Sequence, residues 1–239
     1  MLELTGYGED FFRKLQAQLD SEYESEAEAW IRGGMKSQRK KPVATNRDPN
    51  TSVIRTVSGK LFYPFKPHYI DVDINDIAHG LSHVCRYTGQ CLMFWSVAQH
   101  AMLATDIALS LTGSDQLATQ ILKAYAVLHH DDSEAYVNDL VQPIKHYLDD
   151  YKAMEDGVTA AINKALNVSS AYHDFVKSCD NLAFECESAV LFNKTALKRE
   201  LERDCPFARL ARLSFAEAKQ MFLDYSDMLS SEIQPDIPF

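Results

Sequence analysis

The sequence predicts an all-α protein with a small β-rich entry, and three observations carry that prediction. Apolar residues recur at helical spacing from Asp73 to about residue 230. Glycine and proline are few, nine and eight in 239 residues, and only Gly157 interrupts the central helical stretches. "SVAQHAMLATDIALSL" opens with Ser96-x-x-Gln99, a capping box in which two side chains satisfy free N–H groups at a helix start.

The elements follow in order. Residues 9–32, "EDFFRKLQAQLDSEYESEAEAWIR", are polar with a narrow stripe of Phe11, Phe12, Leu15, Leu19, Trp30 and Ile31, the pattern of a surface helix or two short ones. Gly33-Gly34 ends it, and "MKSQRKKPVATNRDPNTS" reads as a basic linker or exposed loop. A helical extension with its linker over 1–50 and a main domain over 51–239 are therefore expected. In "VIRTVSGKLFYPFKPHYIDVDI", short β-rich runs flank a Ser58-Gly59 turn, and Pro64 and Pro67 stop further pairing. From Asp73, Ile74, Ile77, Leu81 and Val84 keep helical spacing, and further helices fit 115–139, 147–166, 170–199 and 215–231.

Composition narrows the function. The chain is 46% hydrophobic and 24% charged, which suits a packed core rather than disorder. A net charge of −10 disfavours nucleic acid as a partner, and an anionic substrate then needs local cations to hold it. No run of about eighteen apolar residues suggests a membrane span, and the N-terminus lacks the basic start and apolar run of a secretion signal. The five cysteines form no CxxC pair and read as reduced thiols in a cytoplasmic protein, with Cys179 and Cys186 as packing residues.

Chemistry concentrates in "AVLHHDDSEAYVNDL", residues 126–140. On a continuous helix Glu134 falls between His130 and Asp131, while His129 and Asp132 share the opposite side with Leu122, Tyr125 and Tyr136. Two acid–histidine faces are open, and periodicity favours His130/Asp131/Glu134. His100 lies beside a small-residue stripe of Val97, Ala101, Ala104 and Ala108. It reads either as a satisfied core histidine or as a ligand with room before it. Asp180, among Val176, Ala183 and Phe184, is costly on an apolar face unless it is paired, exposed by a roll of its helix, or metal-bound. Together, two imidazoles and two carboxylates from separate helices form an N/O set suited to one divalent transition metal, Mn, Fe, Co, Ni or Zn.

The order of these residues resembles the HD-domain phosphohydrolase superfamily, named for its His…His-Asp…Asp ligands. The likeness is closest to YfbR-type bacterial and phage deoxynucleotidases and extends to phage dATP triphosphohydrolases. It is carried by "DIAHGLSHVCRYTG", "FWSVAQHAML", "VLHHDDSEAYVNDLVQPIK" and "VKSCDNLAFECE" and runs over roughly residues 53–200. The resemblance implies an HD-type helical bundle, with His100, His130, Asp131 and Asp180 as metal ligands. It implies Glu134 as general acid or water-orienting group, Asp139 as a carboxylate near the sugar and the reacting phosphate, Arg86 as a phosphate-holding arginine, and Lys145 as a lysine near the phosphates, as in some relatives that cleave triphosphates. Tyr87 stands where some relatives carry a tryptophan against the deoxyribose. Asp132 and His129 replace the small or apolar neighbours usual beside the HD pair, and a second metal, as in some HD branches, is not expected, because only His146 and His173 lie between the HD pair and Asp180 and neither stands in a recognisable motif.

The expected activity is metal-dependent hydrolysis of a phosphate ester in a nucleotide, foremost a 5′-deoxynucleotidase acting on dNMPs. A dNTP triphosphohydrolase and a non-catalytic nucleotide-binding or regulatory module are the alternatives, and an HD-type oxygenase with two irons is the weakest. The resemblance also leaves room for a homodimer.

Overall fold

The computed structural model describes residues 52–113 and 115–233. The expected helix over 9–32, the basic linker and the boundary near residue 50 lie outside these residues. Within them the protein is all-α with one small sheet. Strands β1 (Ile54–Arg55) and β2 (Leu61–Phe62) pair antiparallel, Ile54 opposite Phe62, around the expected Ser58-Gly59 turn. Gly59 takes a φ of 87°, the left-handed region that a turn glycine enters without strain. The Ser58 N–H and hydroxyl donate to the buried Asp76 carboxylate at 2.9 and 2.8 Å and tie the hairpin to the helices.

Ten α-helices follow among the described residues: α1 (Ile74–His83), α2 (Val97–Leu111), α3 (Leu117–Leu128), α4 (Glu134–Val137), α5 (Gln142–Lys145), α6 (Asp149–Leu166), α7 (His173–Leu191), α8 (Lys194–Leu201), α9 (Pro206–Ala211) and α10 (Phe215–Ser231). None is long and apolar enough to cross a membrane. Asp73 caps α1 through the Asn75 N–H, and Ser96 with Gln99 forms the expected capping box of α2.

The hub is α2. Every residue from Val97 through Ala108 is buried, and the helix packs against α1, α3, α7, α9 and α10. Its alanines let neighbours approach closely, while Met102, Leu103 and Ile107 fill the core at about 1.5–3 kcal/mol of burial each. Its buried polar side chains find hydrogen-bond partners, within the helix or elsewhere in the fold. Gln99 donates to the Leu210 carbonyl (2.7 Å), Thr105 to the Ala101 carbonyl (2.8 Å), and Asp106 accepts from Tyr225 (2.7 Å) and Arg209 (2.9 Å). His100 is the exception, because its Nε2 has no hydrogen-bond partner.

Two expected helices are broken. The stretch 115–139 is not one helix: α3 stops at Leu128, His129–Ser133 forms a tight turn, and α4 begins at Glu134. Local side-chain bonds win over the helical ladder here. His130 Nδ1 donates to the Val127 carbonyl at 2.7 Å, and His129 Nδ1 pairs with Asp132 Oδ2 at 2.7 Å. The stretch 170–199 divides at Phe192, where Asn193 accepts from the Thr195 and Ala196 N–H groups and starts α8. The five cysteines are unbridged, with Cys179 and Cys186 packed in the core as expected.

Candidate metal centre

Three mutually packed helices deliver the candidate ligands. His100 stands in the first turn of α2, His130 and Asp131 in the turn that ends α3, and Asp180 in α7. One ring nitrogen of His100, one of His130 and one oxygen of Asp180 lie within 4.8 Å of one another, the spacing of a metal-binding triad. Asp180 Oδ1 is 3.3 Å from His100 Nε2 and 3.8 Å from His130 Nε2. Asp131 Oδ2 is 3.2 Å from His130 Nε2 and 3.7 Å from His100 Nε2, which closes the group from a fourth side.

Hydrogen bonding sets the chemistry of these nitrogens. His130 Nδ1 faces a carbonyl oxygen and His100 Nδ1 faces Glu187 Oε1 at 2.8 Å, so in each ring Nδ1 carries the proton. Each Nε2 then presents a lone pair to the centre, and both Nε2 atoms are buried without a hydrogen-bond partner. Two lone pairs facing two carboxylates repel unless a positive charge stands between them. The donor set fits a divalent transition ion, with Nδ1–H held as such ligands usually hold it.

The ionisation pattern agrees. Burial would raise Asp131, but His130, His100 and Arg86 hold its carboxyl well below the usual range. Burial would also raise Asp180, and the two histidines beside it outweigh that and lower it strongly. Burial lowers His130, yet Asp131 and Asp180 bring it well above the ordinary imidazole value. For His100, burial and Arg86 act downward, and Glu187 and Asp180 reverse them. The carboxylates favour a cation at the centre, whether that is a proton or a metal.

The other half of the HHDD run is packed in the core, away from these atoms. His129 and Asp132 are fully buried against each other, and His129 Nε2 lies 3.2 Å from the Ser226 hydroxyl of α10. His146 and His173 are exposed and belong to no metal-binding group among the described residues.

Beside the centre opens a cleft of about 640 Å³ that brings together the remaining sequence-predicted residues: Arg86, Tyr87, Glu134, Asp139 and Lys145, with Asp131 and Asp180 shared. Arg86 and Tyr87 come from the tight turn Arg86–Gly89, where Tyr87 (φ 58°) and Thr88 (φ 51°) are left-handed, a conformation costing about 1–3 kcal/mol per residue. Burial works against the Arg86 charge, but Glu187 (3.2 Å) and Asp131 (3.6 Å) keep it a cation. Glu134 is buried, and its Oε2 has no partner. Burial first, then Asp131 and Asp139, raise its carboxyl well above the usual range, which favours the protonated acid. Burial likewise raises Asp139, which is half-buried after Asn138 turns the chain through φ 74°. Lys145 reaches the cleft wall but is already paired with Glu155 at 2.7 Å.

Four residues escaped the sequence reading. Lys177 lines the cleft and pairs with Asp180 Oδ2 at 2.8 Å, and Phe184 and Phe192, each about half exposed, form an aromatic wall with Tyr87. Glu187 is wholly buried and accepts from Trp95, His100, Arg86 and Tyr87. A signal for it existed: Glu187 follows Asp180 by seven residues, two helical turns, and so shares its face of α7.

Fold and site thus define an all-α protein with a candidate metal centre at the base of a cleft. Over 136 residues the chain is 39% identical to the Uncharacterized protein YfdR of Escherichia coli (strain K12), a match covering 57% of this chain and 70% of that protein. The chain belongs to the family of that YfdR protein. It is also 30% identical over 112 residues to the Uncharacterized protein RCAP_rcc00048 of Rhodobacter capsulatus, covering 46% of this chain and 55% of that one. No family model matches the chain.

Proposed function

We propose that the chain is an HD-type, metal-dependent phosphohydrolase that cleaves the phosphate ester of a nucleotide, foremost a deoxynucleoside 5′-monophosphate. The observation that carries this reading is the pair of buried, partnerless Nε2 atoms of His100 and His130 facing two carboxylates at the base of the cleft. His100, His130, Asp131 and Asp180 would hold one divalent ion, Mn, Co, Fe, Ni or Zn, which when bound would supply Lewis acidity toward a phosphoryl oxygen and lower the pKa of water.

The chain's own residues do the rest. Arg86, charged and fixed, holds the phosphate. Asp139 takes the proton of the attacking water, and protonated Glu134 gives its proton to the departing 5′ oxygen as the P–O bond breaks. Tyr87, Phe184 and Phe192 offer aromatic faces to the nucleoside.

The pairing of Lys145 with Glu155 favours the monophosphate over a dNTP, because the lysine expected to hold extra phosphates is already neutralised. The buried, partnerless acid Glu134 favours an enzyme over a binding module, which would gain nothing from its cost. Free thiols suit a reducing, cytoplasmic setting.

The test incubates the full chain with Mn²⁺, Co²⁺ or Zn²⁺ and each dNMP, NMP and dNTP. Phosphate release from dNMPs is expected. No release of phosphate, pyrophosphate or triphosphate from any of them overturns the proposal.

A further inference from the structure

Glu187 joins two places that the sequence treats separately. Its Oε1 accepts from Trp95 Nε1 and His100 Nδ1, both at 2.8 Å, inside the core. Its Oε2 accepts from the Tyr87 hydroxyl at 2.8 Å and Arg86 Nε at 3.2 Å, at the cleft. One carboxylate offers about four acceptor positions, and all four are used. Tyr87 and Thr88 are held in left-handed backbone, and the Tyr87–Glu187 bond is one of the contacts that keeps the turn there.

We propose that Glu187 is a positioning residue that sets the metal-facing lone pair of His100 with one oxygen and the anion-facing pose of Arg86 and Tyr87 with the other. The metal centre and the anion-binding wall are thereby built on a single side chain. This inference rests on the metal-centre part of the proposed function and is independent of the substrate.

The donor count makes it testable. A glutamine at 187 keeps the shape but replaces one acceptor oxygen with an NH₂. If the NH₂ faces inward, it opposes Trp95 and favours the His100 tautomer with the proton on Nε2, where the metal must bind. If it faces outward, it opposes Arg86 and Tyr87. Either orientation spoils one of the two pairs.

The experiment measures two dissociation constants by calorimetry on full chains, wild type and Glu187→Gln: Co²⁺ alone, and inorganic phosphate with the Co²⁺-loaded protein. Thermal melting without metal reports whether the variant is folded. The expected result is that one or both constants weaken by about 10–100-fold, as for other partners of metal-bound histidines. A folded variant with both constants within about threefold of wild type overturns the proposal. Failure of the wild type to bind Co²⁺ overturns the metal-centre reading itself, a distinguishable result. If the variant does not fold, nitrogen-15 NMR of the His100 ring in the Zn²⁺-loaded wild type decides: a proton on Nδ1 and ligation through Nε2 are expected, and the reverse overturns the inference.

Discussion

Gly80 of α1 lies against Ala135 of α4 so closely that a Cβ at position 80 would meet the Ala135 carbonyl oxygen and Cβ at 2.8 Å. Two of the three nearest atoms are backbone, so the neighbour cannot turn aside. Glu134 is the first residue of α4, so the contact bears directly on where the buried acid sits relative to the candidate ligands. Behind it, Tyr136 stacks on Phe62 of the hairpin at 3.9 Å. Gly80→Ala is therefore expected to cost about 1–3 kcal/mol by overpacking. It should also lower turnover by more than the fraction of folded protein explains. Urea melts and phosphate-release assays on the same samples check this, and unchanged turnover per folded molecule would separate the contact from the chemistry.

The two histidines of the HHDD run should fail differently. His130→Ala removes one of the triad nitrogens, and metal binding should fall by at least about 100-fold while the fold survives, since the ring lines a second pocket rather than the closed core. His129→Ala strips the buried Asp132 of its partner, and Asp132 Oδ1 already has none. That change should cost about 3–5 kcal/mol, as breaking a buried pair does, with metal affinity per folded molecule unchanged. Calorimetric titration with Co²⁺ beside denaturant melts measures both, and equal loss of metal from the two variants would show that both rings serve the centre.

Fold class was open to sequence because α2 and α10 advertise themselves: a long apolar pattern, a capping box at each start, and no glycine or proline inside. Helical periodicity favoured the His130 face over that of His129 without deciding between them, and it did so through a helix that is not there; the family resemblance made the choice. The run is a turn, and the side-chain bonds of His129 and His130 that make it a turn leave no trace in the apolar spacing. Glu187 and the aromatic wall were harder for another reason. Their roles depend on how α7 meets the Arg86–Gly89 turn, about a hundred residues away in sequence, and a left-handed Tyr87-Thr88 pair is not announced by residue type.

Glu134→Gln should separate chemistry from assembly. The amide matches the carboxylic acid in size and still fills the buried site, but it has no proton to give. Metal affinity should stay within about threefold and turnover should fall by about 10²–10⁴-fold, the usual range for a lost general acid. The wild-type rate should decline on the alkaline side as Glu134 loses the proton that burial and its acidic neighbours hold on it. The variant's small residual rate should lack that decline. A pH profile of both proteins over the same metal loading is the measurement, and an identical alkaline limb in the variant would assign it to another group.

The metal-free chain should lose stability as pH rises above neutrality. His100 and His130 have folded pKa values raised above the unfolded imidazole value of about 6.5. A raised histidine contributes stability that is complete below the unfolded pKa and disappears as pH rises through the folded one. Glu134, raised by burial, acts in the same direction. Asp131 and Asp180 are depressed, so their contribution is present above the unfolded carboxylate value near about 4 and is lost only in acid. The metal-free protein should therefore be most stable in mild acid, just above the unfolded carboxylate value of about 4, and weaken toward pH 9, most steeply above about 6.5. A divalent ion takes the place of the imidazole protons, so binding releases protons and tightens as pH rises, and the loaded chain should keep its stability where the metal-free chain loses it. Denaturant melts from pH 5 to 9, with chelator and with Zn²⁺, test the crossing, and a metal-free stability that climbs from pH 6.5 to 9 would contradict a centre held together by protonated histidines.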